Sequence, residues 1–246
     1  MTGAFLNALG ILIGALFGLV MPKPLSVRTQ VFFRSALGVF TIFFGLWLVW
    51  LSVNGTFLSA SKQLFIAVLA ITLGFWIGKL LRLQKISNHL GRHAGHLVAS
   101  ASSGAPRKFG DGFTACTILF CAAPLGLLGA VTDGLPPTES PSGYFWLLVV
   151  KAVMDGLAMT GFVRLFGWPS ALSAFPVFAF LGGITFACQF YAKPFLAAHG
   201  LVDPVNAAGG LVVCVIALMI FEVRRVELAN FLPALAVAPL LTWLLK

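Results

Sequence analysis

The chain of 246 residues is 59% hydrophobic and 9% charged, with a mean hydropathy of +1.00. Soluble domains carry roughly 25% charged residues, so this composition excludes an ordinary soluble enzyme and specifies an all-α, polytopic membrane protein. The formal net charge of +9 is no nucleic-acid signal, because the basic residues sit in short loops between apolar runs, where they set membrane orientation.

A membrane span needs about 20 mostly apolar residues. Eight runs meet that requirement, at about 3–21, 32–52, 63–82, 112–132, 144–165, 171–192, 204–221 and 228–245. They make the chain a single integral membrane domain over 1–246. The first run has no basic region before it and no small-x-small cleavage pattern after it, so it is expected to stay as a helix. Asn7, Gly10, Gly14 and Gly18 share one of its faces. The glycines suit close helix packing, in the chain itself or in a homo-oligomer. Asn7 adds an amide suited to a polar cavity or an interhelical bond.

The third and fourth runs are joined by the one long polar stretch, 83–110, "LQKISNHLGRHAGHLVASASSGAPRKFG". Its first half predicts an amphipathic helix at the membrane surface, and its second half a Ser/Gly/Pro linker. His89, His93 and His96 would share a helix face, but Gly91 and Gly95 weaken that helix and no Cys, Asp or Glu supplements the ligands. No metal site or cofactor is assigned. In the fourth run, Pro124 removes a backbone donor and frees a carbonyl one turn earlier.

The fifth run holds Lys151 and Asp155, whose i,i+4 spacing places both side chains on one helix face near the middle of the bilayer. A charge there is expensive, and such residues face the bundle interior or water. The sixth run is interrupted by Pro176 and Gly182-Gly183, and Gln189 is expected to be buried in it. Asn206 opens the seventh run and suits an N-cap. In the eighth, Asn230 precedes Pro233 by three residues and is placed to satisfy backbone groups disturbed by that proline; Pro239 marks a second break. Glu222 is expected to pair with Arg224 and Arg225, and Asp111 and Asp133 to serve as caps, turns or salt-bridged interface groups.

Twelve of the sixteen basic residues fall on one side of this arrangement; Lys62, Lys193 and Lys246 fall on the other, and Lys151 lies within a span. The positive-inside rule then puts both termini outside. Two echoes, Ser-Ala-Leu at 35 and 170 and Ala-Pro-Leu at 123 and 238, lie four spans apart, as in two parallel four-helix repeats. The four cysteines lie in apolar runs without CxxC spacing, so neither disulfides nor zinc are indicated.

The opening "FLNALGILIGALFG", then "FGDGFTACTILFCAAPLGLLGAVTDG", "KAVMDG", "GWPSALSAFPV", "NAAGG" and the closing "ELANFLPALAVAPLL" run in order through nearly the whole chain. In these segments it resembles the YdfK/YqgA-like family, a domain-of-unknown-function family of prokaryotic integral membrane proteins. That family usually has Gln-Gly where this chain has Leu181-Gly182, so any role resting on the glutamine does not carry over. The resemblance implies a bacterial inner-membrane protein and no activity.

Two function classes remain. One is a channel or secondary transporter for a small solute or ion, its cavity lined by Lys151, Asp155 and Asn7, with breaks near Pro124 and Pro239. Asn206 and Asn230 are further candidates. The other is a non-transporting scaffold, assembly factor or partner subunit, in which the Lys151/Asp155 pair serves folding. A water-wide passage to Lys151 would favour the first, and a dry, packed pair would count against it. No motif for a nucleophile and its base appears, so an enzyme is not expected; the partners are the lipid bilayer and a small solute.

Overall fold

The computed structural model describes residues 1–21, 23, 25–102, 110–140, 143–223 and 226–245. The described residues form helices and their connections, with no strand. The chain runs through α1 (Thr2–Val20), α2 (Val27–Ser52), α3 (Phe57–Leu80), α4 (Leu83–Ser102), α5 (Asp111–Cys121), α6 (Pro124–Gly134) and α7 (Trp146–Phe166). A 3-10 turn (Trp168–Ser173) leads into α8 (Ala174–Ala187), which passes through a π-turn (Cys188–Ala192) into α9 (Lys193–Ala198). Then come α10 (Val202–Ile220), a 3-10 turn (Leu228–Phe231) and α11 (Ala234–Leu244).

Six of these units are long and apolar enough to cross a membrane, counting Trp168–Ala198 as one. The pair α5 and α6, bent by 59°, makes a seventh crossing, and Leu228–Leu244 is a shorter apolar helix. The eight expected runs are therefore all helical, but two of them are not straight, full-length spans.

Cross-chain contacts sort the helix ends into two groups. At one end the Met1 amino group pairs with Asp133 at 3.0 Å, Lys62 Nζ donates to Leu245 O at 2.8 Å, and Thr138 N donates to Asp203 Oδ1 at 3.0 Å. At the other, Arg164 donates to the carbonyls of Gly18, Met21 and Lys23, and Arg34 pairs with Glu222. Successive passes thus alternate in direction, including the bent pair. Tryptophans face outward at both ends, with Trp50 79% and Trp243 60% exposed at the first and Trp76 61% and Trp168 55% at the second. This is the distribution expected of aromatic girdles at two membrane interfaces.

Three helix pairs hold the bundle, and glycine lies at the heart of each. In α1 against α7, a Cβ on Gly10 would come within 2.5 Å of Ala152 O, and one on Gly14 within 2.0 Å of Gly156 O. Gly18 is likewise closed in by Val163 and Thr160. The glycine face of α1 is therefore packed against α7 of the same chain. In α2 against α10, Gly45 and Gly210 face each other's carbonyls. In α3 against α11 and the turn before it, Gly74 meets Ala234 N and Gly78 meets Asn230 O. With no hydrophobic drive between helices in lipid, such close backbone approach supplies the dispersion contact that holds them together.

The breaks fall in different places from those expected. Pro124 is the first residue of α6, where its missing N–H costs nothing inside the new helix and the break lies just before it. Pro239 lies inside α11, which runs on through it; the interruption of that segment is about two turns earlier, at the 3-10 turn Leu228–Phe231 that ends before Pro233. Pro176 and Gly182-Gly183 interrupt nothing, since α8 passes through them, and the irregular stretches lie on either side of it. The two Ala-Pro-Leu echoes thus occupy unlike local structures.

Candidate functional site

The α7 sequence positions Lys151 and Asp155 on the face that meets α1 and α6. Lys151 Nζ donates to Asp155 Oδ2 at 2.5 Å, and Asn7 Nδ2 of α1 donates to the same oxygen at 2.9 Å. All three are buried, at 1%, 7% and 0% exposure for Lys151, Asp155 and Asn7. At 1.5 Å per residue, Asp155 lies about 13.5 Å along the 21-residue α7, near its centre.

The broken helix builds the rest of the site. Because α6 restarts at Pro124, Gly126 comes against the lysine stem, and a Cβ there would lie 2.6 Å from Lys151 Cε. The ammonium lies 5.8 Å from the Phe120 ring centroid, beside the last turn of α5. The carbonyl end of a helix favours a cation, and a proline at 124 cannot donate to the Phe120 carbonyl. Cys121 is within electrostatic reach of both Lys151 and Asp155. Apolar side chains surround these groups: Ala4, Ile11, Phe120, Leu148, Met159 and Leu181 form one buried cluster. The pair is buried and packed.

The hydrogen-bonding inventory of the triad is incomplete. Asn7 Oδ1 is buried with no hydrogen-bond partner among the described residues. An ammonium has three donors, and the ion pair engages Lys151 with one oxygen. Net charge within the triad is zero, one ammonium against one carboxylate.

Asn206 and Asn230 lie outside it. Asn206 sits five residues into α10, not at its N-cap, which is Leu201. Its amide ties α10 to the end of α6 by donating to Leu135 O at 2.7 Å and back to Val202 O at 3.2 Å. Asn230 does not serve the backbone around Pro233. Its Oδ1 accepts from Gln84 N in the first turn of α4 at 3.2 Å, while Gln84 Oε1 accepts from Ala229 N at 3.1 Å. Its Nδ2 donates to Glu227 at 2.7 Å. Pro239 lies in α11, against α3 and α10 and away from the triad.

Other expectations change as well. Gln189 is exposed, in the π-turn. Glu222 pairs with Arg34; Arg224 and Arg225 lie outside the described residues. Asp133 takes the salt-bridged form of its expected role, receiving both the Met1 ammonium at 3.0 Å and Gly3 N at 3.3 Å. The three histidines of α4 are exposed, and no group of three His, Cys, Asp or Glu among the described residues could hold a metal.

Helices bounded by two aromatic girdles, with a charged triad sealed in their core, define a multi-pass helical membrane protein. The chain belongs to the family described as "Protein of unknown function (DUF554)", whose model matches residues 2–243. It is similar to "Uncharacterized protein YqgA" of Escherichia coli (strain K12), 27% identical over 96% of this chain and 94% of that one. It is also similar to "Uncharacterized membrane protein YdfK" of Bacillus subtilis (strain 168), 20% identical over 100% of this chain and 97% of that one. No solved structure matches.

Proposed function

We propose that this protein is a carrier for a small solute or ion in the bacterial inner membrane, with both termini periplasmic and the Asn7–Lys151–Asp155 triad as its polar site. The supporting observation is the unsatisfied polar capacity of that triad beside a helix break: a buried amide oxygen and an ammonium that, among the described residues, have respectively no partner and a single oxygen. Broken helices beside a midplane site are a recurrent device of secondary transporters. The sealed packing counts against transport, most directly against a permanently open channel; in this reading the structure corresponds to a closed state, and α1 or α6 must move to admit a solute. The orientation rests on the bias of basic residues toward one side, and the bacterial setting on the two relatives.

The burial of the pair favours a second reading, a scaffold, assembly factor or partner subunit in which the triad is only structural. Purified protein in liposomes, loaded with pH- and potential-sensitive dyes, separates the two against a panel of small ions. The carrier reading expects flux that disappears in the double variant Lys151→Met with Asp155→Leu while the protein stays folded. Absence of flux for every ion tested in the wild type, together with full biological activity of the double variant, sinks it.

A further inference from the structure

A cavity of about 570 Å³ opens at the Arg164 end of the bundle, between the α1–α2 connection, α2, α7 and the end of α10. Its mouth is polar and carries a net positive charge. Arg34 and Arg164 stand there with Gln30 and one acid, Glu222, which pairs with Arg34, and Lys23 is exposed on the adjoining connection. Arg164 is fixed in place by three backbone carbonyls, those of Gly18, Met21 and Lys23, which leaves its full charge at the mouth. The deeper wall is apolar, formed by Leu37, Met154 and Leu157.

The cavity does not end there. Met21, Leu25, Phe33, Leu157 and Thr160 also line a second, almost wholly apolar space of about 600 Å³. This groove runs toward the opposite end along the seam between α1 and α7, past Gly10, Gly14 and Val153. Its rim residues Ile13 and Phe17 are 49% and 53% exposed, on the surface that faces lipid. A cationic mouth at the interface joined to an apolar groove of membrane depth has the chemistry of one molecule with an anionic head and a hydrocarbon tail.

We propose that cavity and groove together bind an anionic phospholipid, its phosphate at Arg34 and Arg164 and one acyl chain along the α1/α7 seam. Charge complementarity selects this occupant. Basic pockets between helices at one membrane face attract anionic headgroups, and guanidinium groups match phosphate geometry. A zwitterionic lipid would fill the groove equally well but would bring its own cation to a mouth whose net charge is already positive. The lipid would bear on the same helix pair that holds Asn7 against Asp155, so its occupancy would stabilise that seam.

Gly161 provides a clean test. It lines the cavity, and a Cβ built there has nothing within 4 Å, so Gly161→Leu starts its side chain in open space and occupies part of the cavity. Full-length protein, stripped of lipid in detergent, is titrated with mixed micelles containing phosphatidylglycerol or phosphatidylcholine, or with inorganic phosphate, while thermal unfolding is followed. The wild type should show a saturable rise in unfolding temperature with phosphatidylglycerol, a smaller one with phosphatidylcholine and none with phosphate. Gly161→Leu should abolish the difference between the two lipids. Arg34→Gln should weaken phosphatidylglycerol binding by about tenfold or more, as loss of a charge-assisted hydrogen bond does. Equal effects of the two lipids on the wild type overturn the proposal, as does a phosphate effect equal to that of phosphatidylglycerol, which would mark a free-anion site. A Gly161→Leu protein that keeps the lipid preference overturns it too.

Discussion

Asn7 and Lys151 meet on a single oxygen: both donate to Asp155 Oδ2, at 2.9 and 2.5 Å. The carboxylate is therefore shared between a contact inside α7 and a contact between α1 and α7. This makes the charged pair part of the helix seam.

Removing the amide tests that coupling. Asn7→Ala deletes a buried hydrogen bond to a charged group, which costs about 1.5–3 kcal/mol. It should lower thermal stability in detergent. Asn7→Asp should be worse, because it sets a second carboxylate beside Asp155; equal melting of the two variants would contradict the arrangement.

The ion pair predicts a non-additive cycle. Lys151→Met or Asp155→Leu alone leaves one buried charge without its partner and should cost about 3–5 kcal/mol, whereas the double variant should recover most of that. Thermal unfolding of the four proteins measures the coupling. Independent effects that simply add would show that the two groups do not compensate each other.

Glycine substitutions should divide sharply by position. A Cβ at Gly14 would lie 2.0 Å from Gly156 O, against nothing within 4 Å at Gly183. Gly14→Ala should destabilise the α1/α7 seam and reduce the yield of folded protein, while Gly183→Ala should be neutral or stabilising by about 0.5–1 kcal/mol. Expression and melting of the two single variants, side by side, decide this.

The reciprocal contact between Asn230 and Gln84 makes a separate prediction about α4. Asn230→Ala removes the acceptor for Gln84 N, a cap supplied from the far end of the sequence, and caps are worth about 0.5–2 kcal/mol. Amide exchange should rise in the first turn of α4 and leave α1 and α7 unchanged. Unaltered exchange at Gln84 and its neighbours would mean the cap contributes nothing.

Much of this architecture is legible in the sequence because lipid forces backbone bonds to be satisfied within each segment, so apolar runs become helices. The Lys151/Asp155 pair is legible for a related reason, since i,i+4 geometry is local. Asn7 stands out as an amide on an apolar helix, but its attachment to Asp155 spans 148 positions and has no local signal. Pro124 and Pro239 look alike in sequence and differ in structure because a proline at the first position of a helix follows a break, whereas one inside can be tolerated by neighbouring helices. Gly74 and Gly78 carry the same four-residue spacing as the stripe of α1 and could have been found by it. Gly45 and Gly210 stand singly and are recognisable only once α2 and α10 are brought together. Asp133 owes its role to the chain terminus, which no helical pattern marks.

Each of the three glycine seams joins a helix from the first third of the chain to one made much later: α1 to α7, α2 to α10 and α3 to α11. During synthesis the early helices must therefore wait in the bilayer, their small-residue faces covered by lipid, until the later segments emerge and displace it. The seams accordingly close late, each when its second helix emerges: α7 first, then α10, then α11. A chain severed between α4 and α5 and made as two co-expressed pieces retains every partner needed to reassemble, whereas either piece made alone keeps none of these seams.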